Sequence, residues 1–326
     1  MKVLILGGAG MVGQRLVRNL VADGLTAGSI SELILHDVVA AAQPEAAFPI
    51  TGLVGNLADP AEAKKLAALK PDVIFHLAAI VSGEAEQNFV KGWDINARGT
   101  WWLLEALRDE YEASEQSYRP KLVFTSSIAV FGAPFPDKIT DDFLTAPQTS
   151  YGAQKAMTEL LINDYSRKGF IDGISIRLPT ICVRPGKPNL AASSFFSGII
   201  REPLNGQEAI LPVPDSVRHW HASPRSAAGF LIHAANMDLT ALGARRALNM
   251  PGVSCTVAEQ IEALRAVAGS DVVKLIRREP NELIMSIVAN WPRNFAPERA
   301  LSLGFTAETS FDQIIKIYIE EEQPQA

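Results

Sequence analysis

Lys2-Val3-Leu4-Ile5-Leu6-Gly7-Gly8-Ala9-Gly10-Met11-Val12-Gly13 is the stretch on which the fold turns. Its first five residues are a continuous apolar run, as expected of a parallel strand covered on both faces. Glycines follow at 7, 10 and 13, and then a helical pattern over 14–23. In that context one glycine permits the tight turn, another lets backbone approach a diphosphate, and the last lets helix and strand pack closely. The diphosphate then sits at the positive helix N-terminus. Gly7, Gly10, Met11, Val12 and Gly13 are therefore candidate cofactor contacts.

Working outward, strands and helices alternate. A second strand at 32–36 ends in Asp37, 24 positions after Gly13 (37 − 13). A carboxylate there can accept both ribose hydroxyl protons and repels a 2′-phosphate. Val38-Val39-Ala40-Ala41 bring no cation to welcome that phosphate, so NAD is favoured over NADP. A third strand at 48–53 runs to Asn56-Leu57, and a helix at 60–69 begins with a proline. A fourth strand at 72–77 closes in Ala78-Ala79. A long helix at 89–112 follows, then a fifth strand at 121–125 ending in Ser126-Ser127. A helix from Tyr151 to about Gly169 and a sixth strand at 174–178 complete the pattern. Such alternation predicts an α/β protein with a doubly wound parallel sheet, a Rossmann domain over 1–180.

After Leu178 the texture changes. Residues 179–189 are rich in Pro and Gly, and the later segments are shorter, with prolines at 203, 212, 214, 224 and 251. Helices are expected at 191–201, 224–236, 257–268, 281–289 and 311–320. Residues 181–326 read as a smaller, mixed α/β substrate-binding portion, with about 220–250 packing back on the Rossmann domain.

Composition narrows the function classes. Of 326 residues, 48% are hydrophobic and 20% charged, which is globular rather than disordered. A net charge of −6 argues against a nucleic-acid or anionic-membrane partner. Cys182 and Cys255 are too few and too far apart for a disulfide framework or zinc site, and read as buried thiols in a reducing compartment. With no signal-peptide pattern and no apolar stretch near ~20 residues, the expectation is a soluble cytoplasmic protein without a metal.

The sequence Tyr151-Gly152-Ala153-Gln154-Lys155 opens its helix after Thr149-Ser150, either of which can serve as N-cap. Positions four apart share a helix face, so a phenol and an ammonium stand one turn apart and the ammonium favours the phenolate. That pair is a candidate general base.

Together these residues resemble the extended short-chain dehydrogenase/reductase family over essentially the whole chain. The resemblance rests on Gly7-x-x-Gly10-x-x-Gly13, Asn56-Leu57, His76-Leu77-Ala78-Ala79, Asn96 with Gly99-Thr100, Ser126-Ser127 with Phe131-Gly132, and Tyr151-x-x-x-Lys155. It implies Tyr151 as base, Lys155 as its partner, Ser127 as the holder of the substrate oxygen and Asn96 as a proton-relay residue. For the cofactor it implies contacts from Asn56, Leu57, Leu77, Ala78, Ala79, Asn96, Tyr151 and Lys155, with Pro179, Thr180 and Ile181 against the nicotinamide. Asn56 stands where the family usually has an aspartate, and Phe131 replaces a common tyrosine. Residues 126–132, 177–189 and 220–225 look like those of the D-erythronate dehydrogenases, which oxidise a four-carbon sugar acid to its 2-keto form.

A sugar acid needs a cation for its carboxylate, and arginine offers a bidentate fork. Arg184, Arg218 and Arg225 are the candidates, Arg184 first. Ser82, Ser126, Asn189, Ser193 and His221 are further candidate substrate contacts. Two other readings stand beside a dehydrogenase. One is a nucleotide-sugar 4-epimerase on the same scaffold; the other is a non-catalytic dinucleotide-binding module. A dehydratase is disfavoured, because Ile128 and Ala129 occupy the places of the acidic pair that such relatives carry. The family resemblance also implies a homodimer through the Asn96 and Tyr151 helices, whose Trp101, Trp102, Leu161 and Tyr165 offer spare apolar surface.

Overall fold

The computed structural model describes residues 1–186 and 193–323. The apolar N-terminal run is strand β1 (Lys2–Leu6), and its Val3, Leu4, Ile5 and Leu6 are completely buried. On one side it pairs parallel with β2 (Glu32–Asp37), which pairs with β3 (Ile50–Val54). On the other side it pairs with β4 (Val73–His76), and that strand pairs with β5 (Lys121–Ser127). Along the chain follow β6 (Ile139–Thr140), β7 (Asp172–Leu178), β8 (Thr180–Ile181), β9 (Ala209–Leu211), β10 (Arg218–Ala222), β11 (Ala247–Asn249), β12 (Val253–Thr256), β13 (Ile276–Arg278) and β14 (Phe295–Ala296).

The central sheet has seven strands in the order β11-β7-β5-β4-β1-β2-β3. The chain winds outward from β1 in both directions, so the carboxyl ends of β1 and β4 flank the point where the winding reverses. Open α/β sheets bind their ligands there. The helix Met11–Asp23 returns from β1, while Pro60–Ala68 starts on an Asp59 side chain that accepts from Ala61 N at 2.9 Å. One apolar core joins Leu4, Leu6, Ile34, Leu66, Ile74, Leu103, Leu107, Phe124 and Ile162.

The segment expected as one helix over 89–112 is three pieces. Phe89–Trp93 leads into a π-helical turn, Asp94–Arg98, and then Gly99–Ala113. A π turn holds one residue more than an α turn, and a one-residue insertion is invisible to apolar periodicity. Here it carries Asn96 to a buried position.

The chain divides into two compact units that differ from a 1–180/181–326 split. One comprises 1–130, 149–177 and 228–248; the other comprises 131–148, 178–227 and 249–326. Residues 131–148 belong to the second unit because β6 pairs with β14 and the Phe131 ring lies 5.8 Å from that of Phe295. Of the expected 220–250 return, 228–248 belong to the first unit, and 220–227, 249 and 250 to the second. The second unit has its own core around Phe196, Ile199, Leu211, Ile261, Ile314 and Ile315. Its small sheets are β12-β10-β8, β13-β9 and β14-β6. The helix expected at 191–201 is described as Ser194–Leu204, and 281–289 as Glu282–Ala289 capped by Asn281.

Candidate active site

The dinucleotide turn is built as the glycines require. Gly7 has φ +88, and its N–H and that of Gly8 both donate to His36 O. A Cβ at Gly13 would lie 2.2 Å from Gly7 O, and one at Gly7 would lie 2.8 Å from Ala78 N. Neither contact could be relieved without moving backbone. The helix that starts at Met11 and Val12 has no side-chain cap on Gly10 and no acid in its first turn. Its first N–H groups are thus offered to an anion.

Asp37, at the end of β2, is oriented by this turn. Its Oδ2 accepts from Ala9 N at 2.9 Å and its Oδ1 from Val38 N at 2.7 Å. Asn56 is exposed, with Oδ1 accepting from Ala58 N, and Leu57 is buried. Leu77 N bonds Leu6 O, which carries the Ala78-Ala79 turn past the end of β1. These residues fit a nicotinamide dinucleotide: a glycine turn with no room for a side chain at Gly7 or Gly13, an uncapped helix start and a carboxylate at the neighbouring strand end.

The catalytic candidates of the first unit converge on the ends of β4 and β5. The helix Ser150–Arg167 starts where Thr149 Oγ1 accepts from Gly152 N at 3.1 Å, so Tyr151 stands in its first turn. One turn on, Lys155 is buried and donates to Thr125 O at 2.8 Å. Its Nζ lies 5.7 Å from the centre of the Tyr151 ring and 4.5 Å from that of Phe124. Burial pushes the Lys155 ammonium down to about 7, against the opposing pull of Glu159. His76, bonded to Thr100 Oγ1 at 2.8 Å, is pushed down to about 3 by burial and then by Lys155, and stays neutral. Ser127 ends β5, its Oγ accepting from Ala129 N at 3.1 Å.

Asn96 is engaged on every side. Its Oδ1 accepts from Ile80 N at 2.9 Å, its Nδ2 donates to Ile80 O and to Gln154 Oε1, and its carbonyl accepts from Thr158 Oγ1. Its amide serves as a clamp on the loop after β4. Ser126, a candidate substrate contact, points to the face of β5 opposite Ser127. It is buried, and its hydroxyl donates to Glu159, so that proton is not free for a substrate. Ser82 begins the short helix Ser82–Gln87.

The remaining candidates lie in the second unit, and Asn189 lies outside the described residues. Pro179 precedes β8, where Thr180 and Ile181 pair with β10. Thr180 Oγ1 meets His219 Nε2 at 2.6 Å; His219 also bonds the backbone of Pro292 and is held near 3 by burial. His221 is a core side chain, completely buried, with Nε2 against the Gln260 amide at 3.0 Å. Ser193 precedes the helix Ser194–Leu204 without capping it. Arg184 Nε donates to Ile181 O at 3.1 Å. Arg218 pairs with Glu259 at 3.2 Å, and Arg225 with Glu320 at 2.7 Å and Glu321 at 2.5 Å.

Sequence reading passed over Gln154, Thr158, Glu159 and the role of Arg177. Their signal was position: Thr158 and Glu159 fall on the turn after Gln154 and Lys155, where i,i+4 neighbours meet.

The model of the NAD dependent epimerase/dehydratase family matches residues 3–229. The chain is 45% identical to the D-erythronate dehydrogenase of Cupriavidus necator, over 98% of each chain. It is 43% identical to that of Haemophilus influenzae, over 98% of this chain and 99% of the relative. The crystal structure described as a nucleoside-diphosphate-sugar epimerase from Agrobacterium tumefaciens superposes with a TM-score of 0.96 at 58% identity, over 99% of this chain and 94% of that one. Gly7–Gly13, Asp37, Ser127, Tyr151 and Lys155 all fall within the matched span, and the chain belongs to the NAD dependent epimerase/dehydratase family.

Proposed function

We propose that the protein is an NAD-dependent dehydrogenase that oxidises the 2-hydroxyl of a small sugar acid, with D-erythronate going to the 2-oxo acid. The observation that carries this reading is the buried Lys155 beneath the Tyr151 ring, in a chain whose full-length relatives bear the name D-erythronate dehydrogenase. Bound NAD supplies the hydride acceptor. Free tyrosine ionises near pH 10, too high for a base at neutrality. A cation at Lys155 favours the phenolate, and Tyr151 Oη then takes the proton of the substrate hydroxyl. Ser127 Oγ donates to the same oxygen and fixes its carbon, a positioning effect. Lys155 itself is held by Thr125 O, so its ammonium does not wander from the phenol.

NAD is preferred to NADP through Asp37, with Val38 and Val39 exposed beside it in place of a cation. Arg184 is the first candidate for the substrate carboxylate; Arg218 is paired with Glu259, and Arg225 with Glu320 and Glu321. The enzyme works in the cytoplasm, which suits two free buried cysteines. It pairs as a homodimer through the Asn96 and Tyr151 helices; of the surface expected there Trp101 is exposed, whereas Trp102, Leu161 and Tyr165 pack against the core and Leu160 is the exposed leucine.

The test is a spectrophotometric screen of tetronates, longer aldonates and nucleotide sugars, following reduction of the cofactor. D-Erythronate should reduce NAD, and Tyr151→Phe should abolish turnover while cofactor binding is retained. Turnover of nucleotide sugars alone, with no net reduction of NAD, would favour the 4-epimerase reading instead. Light scattering checks the dimer.

A further inference from the structure

The first unit contains a buried ion pair that the mechanism above does not use. Glu159 and Arg177 are both nearly inaccessible, and they meet in a forked arrangement. Arg177 Nε donates to Glu159 Oε1 at 2.9 Å and Nη2 to Oε2 at 2.7 Å. Ser126 Oγ adds a third donor to Oε1. Three elements are tied at one carboxylate: the helix that carries Tyr151 and Lys155, β5 that carries Ser127, and β7. Burying two charges in this way costs several kcal/mol in desolvation per ion, and a well-packed apolar pair would often hold the fold as well. The location suggests another use. Tyr151, Lys155 and Glu159 are spaced four apart on one helix face, and Thr125 and Ser126, consecutive on β5, bind Lys155 and Glu159 in turn.

We propose that Glu159, held between Ser126 and Arg177, is a positioning residue that keeps Lys155 charged and thereby keeps Tyr151 ready to accept a proton. The groups that face Lys155 are few. Tyr151 and Glu159 stand on its own helix; neutral His76 faces it from β4; the Phe124 ring and Thr125 carbonyl face it from β5; Arg177 stands on β7 beyond Glu159. Glu159 is the one carboxylate in this set. It balances Arg177 and pulls against the burial that strips Lys155 of its proton. Glu159 is one turn from Lys155 and two turns from Tyr151, so its field acts on the ammonium more than on the phenol.

The experiment is the pH profile of kcat/KM for D-erythronate oxidation in folded variants, their folding checked by thermal melting. In Glu159→Gln the carboxylate charge beside Lys155 is gone, Lys155 gives up its proton earlier, and the rising limb should move to higher pH by about one unit. In Arg177→Gln the carboxylate is left uncompensated, and the limb should move to lower pH. The double variant buries neither charge and should return to within a few tenths of the wild-type profile. Where a single variant does not fold, Ser126→Ala takes its place. It removes one donor from Glu159, strengthens the carboxylate's hold on Lys155, and should move the limb slightly to lower pH. A purely structural clamp would lower activity at every pH and leave the limb in place. Unmoved limbs, or shifts of the same sign in both single variants, would overturn the proposal. It rests on Tyr151 as the base, and the two fail separately: an active Tyr151→Phe sinks that reading, whereas an inactive one with unmoved limbs sinks only this.

Discussion

Asn96 and Gln154 are joined side chain to side chain, Asn96 Nδ2 donating to Gln154 Oε1 at 2.8 Å inside the protein. The same Asn96 amide holds both backbone groups of Ile80. One hydrogen-bonded chain therefore runs from the Tyr151 helix through the π turn to the loop beside the glycine turn.

Gln154→Leu and Asn96→Ala should rank in a definite order. The first removes one bond, for about 1 kcal/mol, and also removes a buried Nε2 that has no partner, which offsets part of the loss. The second orphans the N–H and C=O of Ile80 together and should cost about 2–4 kcal/mol. It should also raise the KM for NAD, since Ile80 follows Ala78-Ala79. Thermal denaturation with and without NAD checks both; equal losses would contradict the clamp.

Gly13→Ala should abolish NAD binding, because its Cβ would lie 2.2 Å from the Gly7 carbonyl oxygen. Gly229→Ala is the control. It lies inside the helix Pro224–Asn236 with open space around a Cβ, and should stabilise the protein by roughly 0.5–1 kcal/mol. Isothermal titration and melting curves of the two variants should move in opposite senses.

Asp37→Ser combined with Val38→Arg should weaken NAD by about tenfold or more and admit NADP. The lost carboxylate also releases Ala9 N, so part of the loss is in the order of the glycine turn. Initial rates with each cofactor measure it; unchanged discrimination would remove Asp37 from the ribose.

Stability should fall on mild acidification. His76 and His219 are held neutral by burial down to about 3, and His221 is lowered well below its usual value by the same cause. The unfolded chain takes up these protons near pH 6.5, whereas the folded chain refuses them. Their contribution is therefore complete above about pH 6.5 and is lost as pH falls from there toward 3. Melting temperature should drop between about pH 7 and pH 5, and His76→Gln should flatten that slope.

Much of this was legible in the residues. An apolar strand, three glycines and a helix placed the dinucleotide turn, and two of the glycines, Gly7 and Gly13, answer to contacts that a Cβ forbids. The reading of Tyr151 and Lys155 as a base and its partner came only with the motifs around them, while their sharing of a helix face was legible from spacing. The π turn was not, since one extra residue leaves the apolar pattern of 89–112 nearly intact. Nor was the placement of 131–148, whose two-residue strand Ile139–Thr140 finds its partner more than 150 residues later. Ser126 and Ser127 look alike in sequence, and only the pleat of β5 turns one to Glu159 and leaves the other at the strand's end. The acidic partners of Arg218 and Arg225 were not legible either, since Glu259, Glu320 and Glu321 come from distant segments.

The order of β11-β7-β5 has a consequence for synthesis. β11 (Ala247–Asn249) is the last strand of the central sheet to leave the ribosome, some seventy residues after β7, its neighbour. Through that interval the outer edge of β7, including the Ser175 N–H that later donates to Arg246 O, is an open edge of the kind that recruits foreign strands. The nascent chain is therefore most exposed to mispairing between the emergence of Leu178 and that of Asn249. Truncations within this window should aggregate, whereas a chain carried past Asn249 covers the edge of β7 with the three-residue β11.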